Sequence, residues 1–278
     1  MSLFSKKTEA LYIQGLKYES GQGVPQDYAK AGDHYRKAAE KGLADAQYKL
    51  GNLYYHGRGL PQDYEKADQW YRKAAEQGNV YAQNDLGTMY MNGQGVPQDY
   101  VKACEWYRKA AEQGYAMAQY NFGERFFLGQ GVPQDYAKAG EWYRKAAEQG
   151  DAYAQVNLGA MYAQGCGFAR DYAKALIWYQ KAAKQGNADA QYNLGVMRAK
   201  GQGMPQNAVS AAEWYRKAAE QGCIRAQVNL GAMYAEGNGV TRSYAMAEKW
   251  FRRAAEQGDP TAIRNLEMLN SMTGEKLS

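Results

Sequence analysis

Histidine, cysteine and proline are scarce in this chain, at two, three and six residues of 278. Each shortage excludes something. Two histidines leave little for general acid–base work. Cys104, Cys166 and Cys223 fall at unmatched positions, which excludes a disulfide framework and a paired metal-ligand spacing and fits a reducing cytoplasm. So few prolines exclude a collagenous or mucin-like chain. Long apolar runs are missing too: no segment approaches the roughly 20 consecutive apolar residues that cross a bilayer. A mean hydropathy of -0.73 agrees, and no apolar stretch of signal-peptide length follows Lys6 and Lys7. Neither charge dominates, since 34 basic and 29 acidic residues leave a net +5 without a Lys/Arg block to track phosphates. Membrane insertion and nucleic-acid binding are therefore not expected.

What is abundant is glycine, tyrosine and tryptophan, at 31, 25 and 6 residues, and the reason is repetition. Trp70, Trp106, Trp142, Trp178, Trp214 and Trp250 are every tryptophan in the chain and lie 36 residues apart, with His34 in the slot before them. On this frame residues 1–9 are a lead-in, and seven copies span 10–45, 46–81, 82–117, 118–153, 154–189, 190–225 and 226–261. Residues 262–278 then form a closing helix that turns polar from Thr273 to Ser278.

Each copy predicts a helical hairpin. Ala46, Leu50, Leu53 and Tyr54 share one face of a first helix, A, over about Asp45 to His56. Gly57 suits the left-handed position past a helix end and Gly59 a tight turn. The next slot holds Asp27, Asp63, Asp99, Asp135, Asp171, Asn207 and Ser243, which share only the ability to accept a bond from an exposed helical N–H, and so reads as an N-cap. Helix B carries Tyr64, Ala67, Trp70, Tyr71, Ala74 and Ala75 and stops at Gly78. Connections this short force antiparallel neighbours. The expected fold is all-α, a right-handed α/α superhelix of stacked hairpins, with the tryptophans buried between layers at a cost of about 3–5 kcal/mol when truncated. In the first copy Gln14 and Lys17 replace apolar residues, as suits an uncovered end.

Ala82, Gln83, Leu86, Gly87, Met89, Tyr90, Gly93, Gly95, Val96, Pro97, Tyr100, Lys102, Ala103, Trp106, Tyr107, Ala110, Ala111 and Gly114 together resemble the phrase of the Sel-1-like repeat family, relatives of tetratricopeptide repeats. The resemblance implies a solenoid that serves as a protein-binding adaptor, with bacterial signalling, toxin immunity and host contact as settings. Some secreted relatives, with a disulfide in each repeat, are described as β-lactam-binding or weakly hydrolysing. Those paired cysteines are absent here.

Within the repeats, His34 and His56 read as slot variants, and the Gly-x-Gly turns lack the third glycine or Lys-Ser/Thr of a phosphate cradle. No catalytic residue, cofactor or metal is expected. Subtracting the scaffold leaves a stripe on helix A opposite its packed face, expected to line a concave groove. Tyr12, Tyr48, Tyr120 and Tyr192 share one slot of it. Successive layers present Tyr48, Asn52 and Tyr55, then Asn84, Thr88 and Met91, then Tyr120, Glu124 and Phe127. Large groups on an exposed face have the composition of binding hot spots, so a protein or peptide partner is expected there. Later layers carry small residues such as Ala160, Ala163 and Ala199, which imply an apolar trough. The alternative is that the same residues pack on one another across layers. Beside the stripe run Asn121, Asn157, Asn193, Asn229 and Asn265, able either to bond an extended peptide or to satisfy backbone groups of a neighbouring turn. Arg125 and Arg198 break the ladders, each as a groove charge or a stem passing the core.

Overall fold

The computed structural model of the chain describes residues 3–273, and all fifteen of its elements are α-helices. The A helices are α1 (Leu3–Ser20), α3 (Ala44–His56), α5 (Val80–Asn92), α7 (Ala116–Leu128), α9 (Ala152–Gln164), α11 (Ala188–Lys200), α13 (Ile224–Glu236) and α15 (Pro260–Thr273). The B helices between them are α2 (Tyr28–Ala39), α4 (Tyr64–Glu76), α6 (Tyr100–Glu112), α8 (Tyr136–Glu148), α10 (Tyr172–Lys184), α12 (Ala208–Glu220) and α14 (Tyr244–Ala255). Most of the expected lead-in is the first turns of α1, and the polar tail after Thr273 lies outside the described residues. Contacts group the chain into two compact units, one ending at Ala146 and one starting at Ala147. Within each, a helix packs on its sequence neighbours, A on B inside a hairpin and B on the next A.

Local chemistry sets the ends. All seven residues of the cap slot accept a bond from the backbone N–H three residues on, as Asp63 does from Lys66 at 2.9 Å. Asn79, Asp151, Asn187 and Asp259 do the same for A helices. Gly57 ends α3 with φ 66°. Gly59 does more than tighten the turn: at φ 68°, a Cβ there would sit 2.3 Å from the backbone of Tyr28, so this glycine is what lets the turn lie against the preceding B helix.

The tryptophans are not the centre of the layers. Trp250 alone is fully buried; the other five are half-buried, each with a lysine ammonium over its ring, such as Lys109 at 3.8 Å from Trp106 and Lys145 at 3.8 Å from Trp142. The buried aromatic is the next residue: Tyr35, Tyr71, Tyr107 and Tyr143 in the first unit, and Tyr179, Tyr215 and Phe251 in the second. Phenol and indole exchange the expected roles because the A-helix glycine faces the second slot. A Cβ on Gly87 would lie 2.6 Å from the Tyr107 ring, so only glycine admits that ring between the helices. Alanines fill the rest, joined by Leu50 and Leu86 in the first unit and Leu158, Leu194 and Leu230 in the second.

A buried amide clips the hairpins together. Gln83 donates to the carbonyl of Ala75 at 3.0 Å and accepts from Gln113 at 2.8 Å, tying α4, α5 and the end of α6. Gln47 does the same with Ala39 and Gln77, and Gln227 with Ala219 and Gln257. At the start of the first unit Gln14 and Lys17 are exposed; at the end of the second, Ala262, Leu266 and Leu269 of α15 are buried.

Candidate functional site

In the first unit the A-helix stripe is half-buried rather than fully outward. Tyr48 leans over the buried Tyr71 ring at 5.8 Å, Tyr55 packs on Tyr71 at 6.3 Å and Tyr64 at 5.2 Å, and Tyr120 covers Tyr143 at 5.6 Å. Phe127 meets Tyr136 edge-on at 5.1 Å. These rings lid the core and stay partly exposed. The Tyr55 hydroxyl donates to Gln94 at 2.9 Å, across to the next layer.

Several polar members of the stripe have internal work. Asn52 accepts from the Tyr71 hydroxyl at 2.5 Å. Asn84, expected on the open face, is only 3% exposed. Its amide donates to Asp85 at 3.1 Å and its oxygen accepts from Asn121 at 2.9 Å, so this pair joins α5 to α7. Glu124 is ion-paired with Arg125. Arg125 is 6% exposed, and one of its guanidinium nitrogens lies 3.3 Å from the Met91 sulfur, so its stem runs through the packing between layers. Asn84 is thus a packing residue, and Glu124 is partly neutralised.

In the second unit the same face differs. Asn157 and Asn193 are half-buried, and neither side-chain amide bonds to another described group. Asn229 instead reaches the Tyr215 hydroxyl, whose pKa burial pushes up to about 12. Tyr192 covers Tyr215 at 5.8 Å, and the Arg225 guanidinium lies 4.4 Å over the Tyr192 ring while pairing with Asp189 at 2.7 Å. The small residues leave shallow space: a cleft of about 180 Å³ lined by Ala199, Tyr215, Asn229 and Ala232.

The sequence reading passed over Tyr81, Asp85 and Tyr115. Tyr81 is 48% exposed, stacks on Tyr48 at 5.6 Å and meets Tyr115 edge-on at 5.1 Å. Burial holds the Asp85 carboxyl above the usual carboxylate range, and the hydrogen bonds from Asn84 and Tyr48 only partly offset this. The available signal was a charge in a slot that later copies fill with asparagine, from Asn121 to Asn265.

Nothing among the described residues gathers three or more metal-ligating side chains. Cys104 is buried, donates its thiol to the Gln130 carbonyl at 3.2 Å, and has its pKa pushed up by burial to about 11, the opposite of an activated nucleophile. His34 stacks on Tyr18 at 5.6 Å and His56 meets Tyr55 edge-on at 5.0 Å. No described helix is long and apolar enough to cross a membrane.

Antiparallel helix pairs, repeated every 36 residues and each sealed by its neighbours, define an all-α solenoid of tandem repeats. The family model of the Sel1 repeat matches residues 8–43, 44–79, 80–115, 116–151, 152–187, 188–223 and 224–259, and the chain belongs to that family. Among solved structures it is similar to c5321, a protective antigen of uropathogenic Escherichia coli with this fold, at 42% identity and a TM-score of 0.88 over 96% of this chain. The chain spans 58% of that protein's length. A Sel1 repeat protein of Oxalobacter formigenes is 36% identical with a TM-score of 0.78, over 94% of this chain and 76% of that one. No curated protein matches the chain. Repeats of this family are generally non-catalytic scaffolds for protein interaction.

Proposed function

We propose that the chain is a non-enzymatic docking scaffold that holds a protein or peptide partner on its A-helix face. What supports this reading is the half-covered aromatic stripe of the first unit, Tyr48, Tyr55, Tyr120 and Phe127, whose partly exposed rings are suited to anchoring apolar groups. In the second unit, the open amides of Asn157 and Asn193 offer both donor and acceptor to an extended backbone. The opposite, B-helix side is less suited to nucleic acid, because its lysines are engaged over tryptophan rings. The three cysteines are free thiols, in keeping with a reducing compartment, and the likeness to bacterial proteins supports a bacterial origin.

Affinity capture with the wild-type chain identifies the partner, which is then purified and titrated against a Tyr55→Ala/Phe127→Ala variant. The expected result is at least a ~10-fold loss of affinity in a variant that keeps its helical circular dichroism. Unchanged affinity with lowered stability would assign the rings to packing alone.

A further inference from the structure

Asp85 is a half-buried carboxylate on the A-helix face of the first unit with no cation to answer it. Asn84 donates to it at 3.1 Å and the Tyr48 hydroxyl reaches it, but no lysine or arginine pairs with it or acts on it electrostatically among the described residues. Tyr48 and Tyr115 lie near it, and Tyr81, one turn back on α5 and half exposed, touches the rings of both. A ring face attracts a cation, and a desolvated carboxylate attracts it more.

The second unit holds an internal example of what such a place takes. Four repeats on from Asp45, Tyr48 and Tyr81 stand Asp189, Tyr192 and Arg225. There the guanidinium carbon sits 4.4 Å over the tyrosine ring centroid while one of its nitrogens reaches the carboxylate at 2.7 Å. In the first unit the arginine slot is filled by Tyr81, which stacks on Tyr48 but brings no charge, while Asp45 accepts from Asn79 at 2.9 Å. The carboxylate left over is Asp85.

We infer that Tyr48, Tyr81, Asp85 and Tyr115 form a recognition site for an arginine side chain of the docked partner, its guanidinium against the tyrosine rings and its N–H groups toward the Asp85 carboxylate. The inference rests on the docking role proposed above and names the chemistry of one contact within it. Arginine suits the place better than lysine because a planar, weakly hydrated guanidinium stacks on a ring and still presents N–H groups in its plane.

The test uses the full chain with ¹³C-labelled tyrosine rings, titrated with N-acetyl-arginine methylamide and, separately, with its neutral isostere N-acetyl-citrulline methylamide and with the lysine analogue. The arginine compound is expected to shift the Tyr48, Tyr81 and Tyr115 ring signals saturably, at least ~5-fold more tightly than either other compound. Asp85→Asn, which keeps the side-chain shape, is expected to remove that preference, and Tyr81→Ala to weaken binding. Equal binding of citrulline, equal binding of lysine, retention of the preference in Asp85→Asn, or shifts spread evenly over all tyrosines each overturn the assignment. The docking role is tested through Tyr55 and Phe127, so either reading fails without the other.

Discussion

Tyr143 and Trp142 are adjacent, aromatic and unequal. The tyrosine is 1% exposed and fills the space a glycine leaves, whereas the indole is half-buried beneath Lys145. Tyr143→Ala is therefore expected to cost about 3–5 kcal/mol and Trp142→Ala roughly 2 kcal/mol, the order opposite to side-chain size, as measured by urea denaturation. Gln83 is a different kind of core residue. Replacing it with leucine removes the two clip bonds, but the Ala75 carbonyl keeps the Gly78 N–H and the Gln113 amide keeps the Lys109 carbonyl, so the expected loss is about 1 kcal/mol. Asp85 runs the other way with pH. Its folded-state pKa is raised by burial, so its ionisation opposes folding above the ordinary carboxylate value of 3.8 and has no effect below it. Asp85→Asn should then raise the unfolding midpoint at pH 7 and leave it unchanged near pH 3; a loss of stability at pH 7 would contradict this.

At the level of the helix, stability sits at the ends. Asp27, Asp63, Asp99, Asp135 and Asp171 all have carboxyls held below their ordinary 3.8, first by the backbone N–H they accept from. A lowered folded-state value means that the stabilisation is present above the unfolded value and is lost as pH falls through the folded one. The unfolding midpoint should drop below pH 4. A chain with Asp63 and Asp99 both changed to serine, the residue already used at Ser243, should show a shallower drop, because a hydroxyl cap does not titrate in that range. A glycine in the middle of the A helix of each hairpin governs how closely the pair packs. Gly87→Ala puts a methyl carbon 2.6 Å from the Tyr107 ring, and is expected to cost about 1–3 kcal/mol by forcing α5 and α6 apart.

At the scale of the molecule, contacts within each unit run between sequence neighbours, so the stability of each unit is close to a sum of hairpin terms and nearest-neighbour interfaces. Gly87→Ala should accordingly raise amide exchange in α5 and α6 while leaving α13 and α14 protected as before; equal loss of protection throughout would mean that the array unfolds as one body. Much of this was legible in the sequence. The 36-residue period, the cap slot from Asp27 to Ser243 and the glycines at Gly57 and Gly78 are consequences of backbone geometry that any copy displays, and repetition makes the signal visible. The candidate site was less so. Tyr48 and Tyr120 sit where helical phase places them, but half-covered, because a ring long enough to reach past its own helix leans over the next tyrosine.

The amino-acid sequence by itself determined that this chain is a Sel1 repeat solenoid, since spacing and end signals act within a few residues of where they are written. Only the tertiary structure decided which aromatic is buried, that Asn84 and Asn121 bond to each other, and that Asp85 lies among tyrosines with no cation paired to it among the described residues. Those outcomes depend on side chains from helices one repeat apart meeting in space, and on the desolvation that follows, which no single repeat encodes.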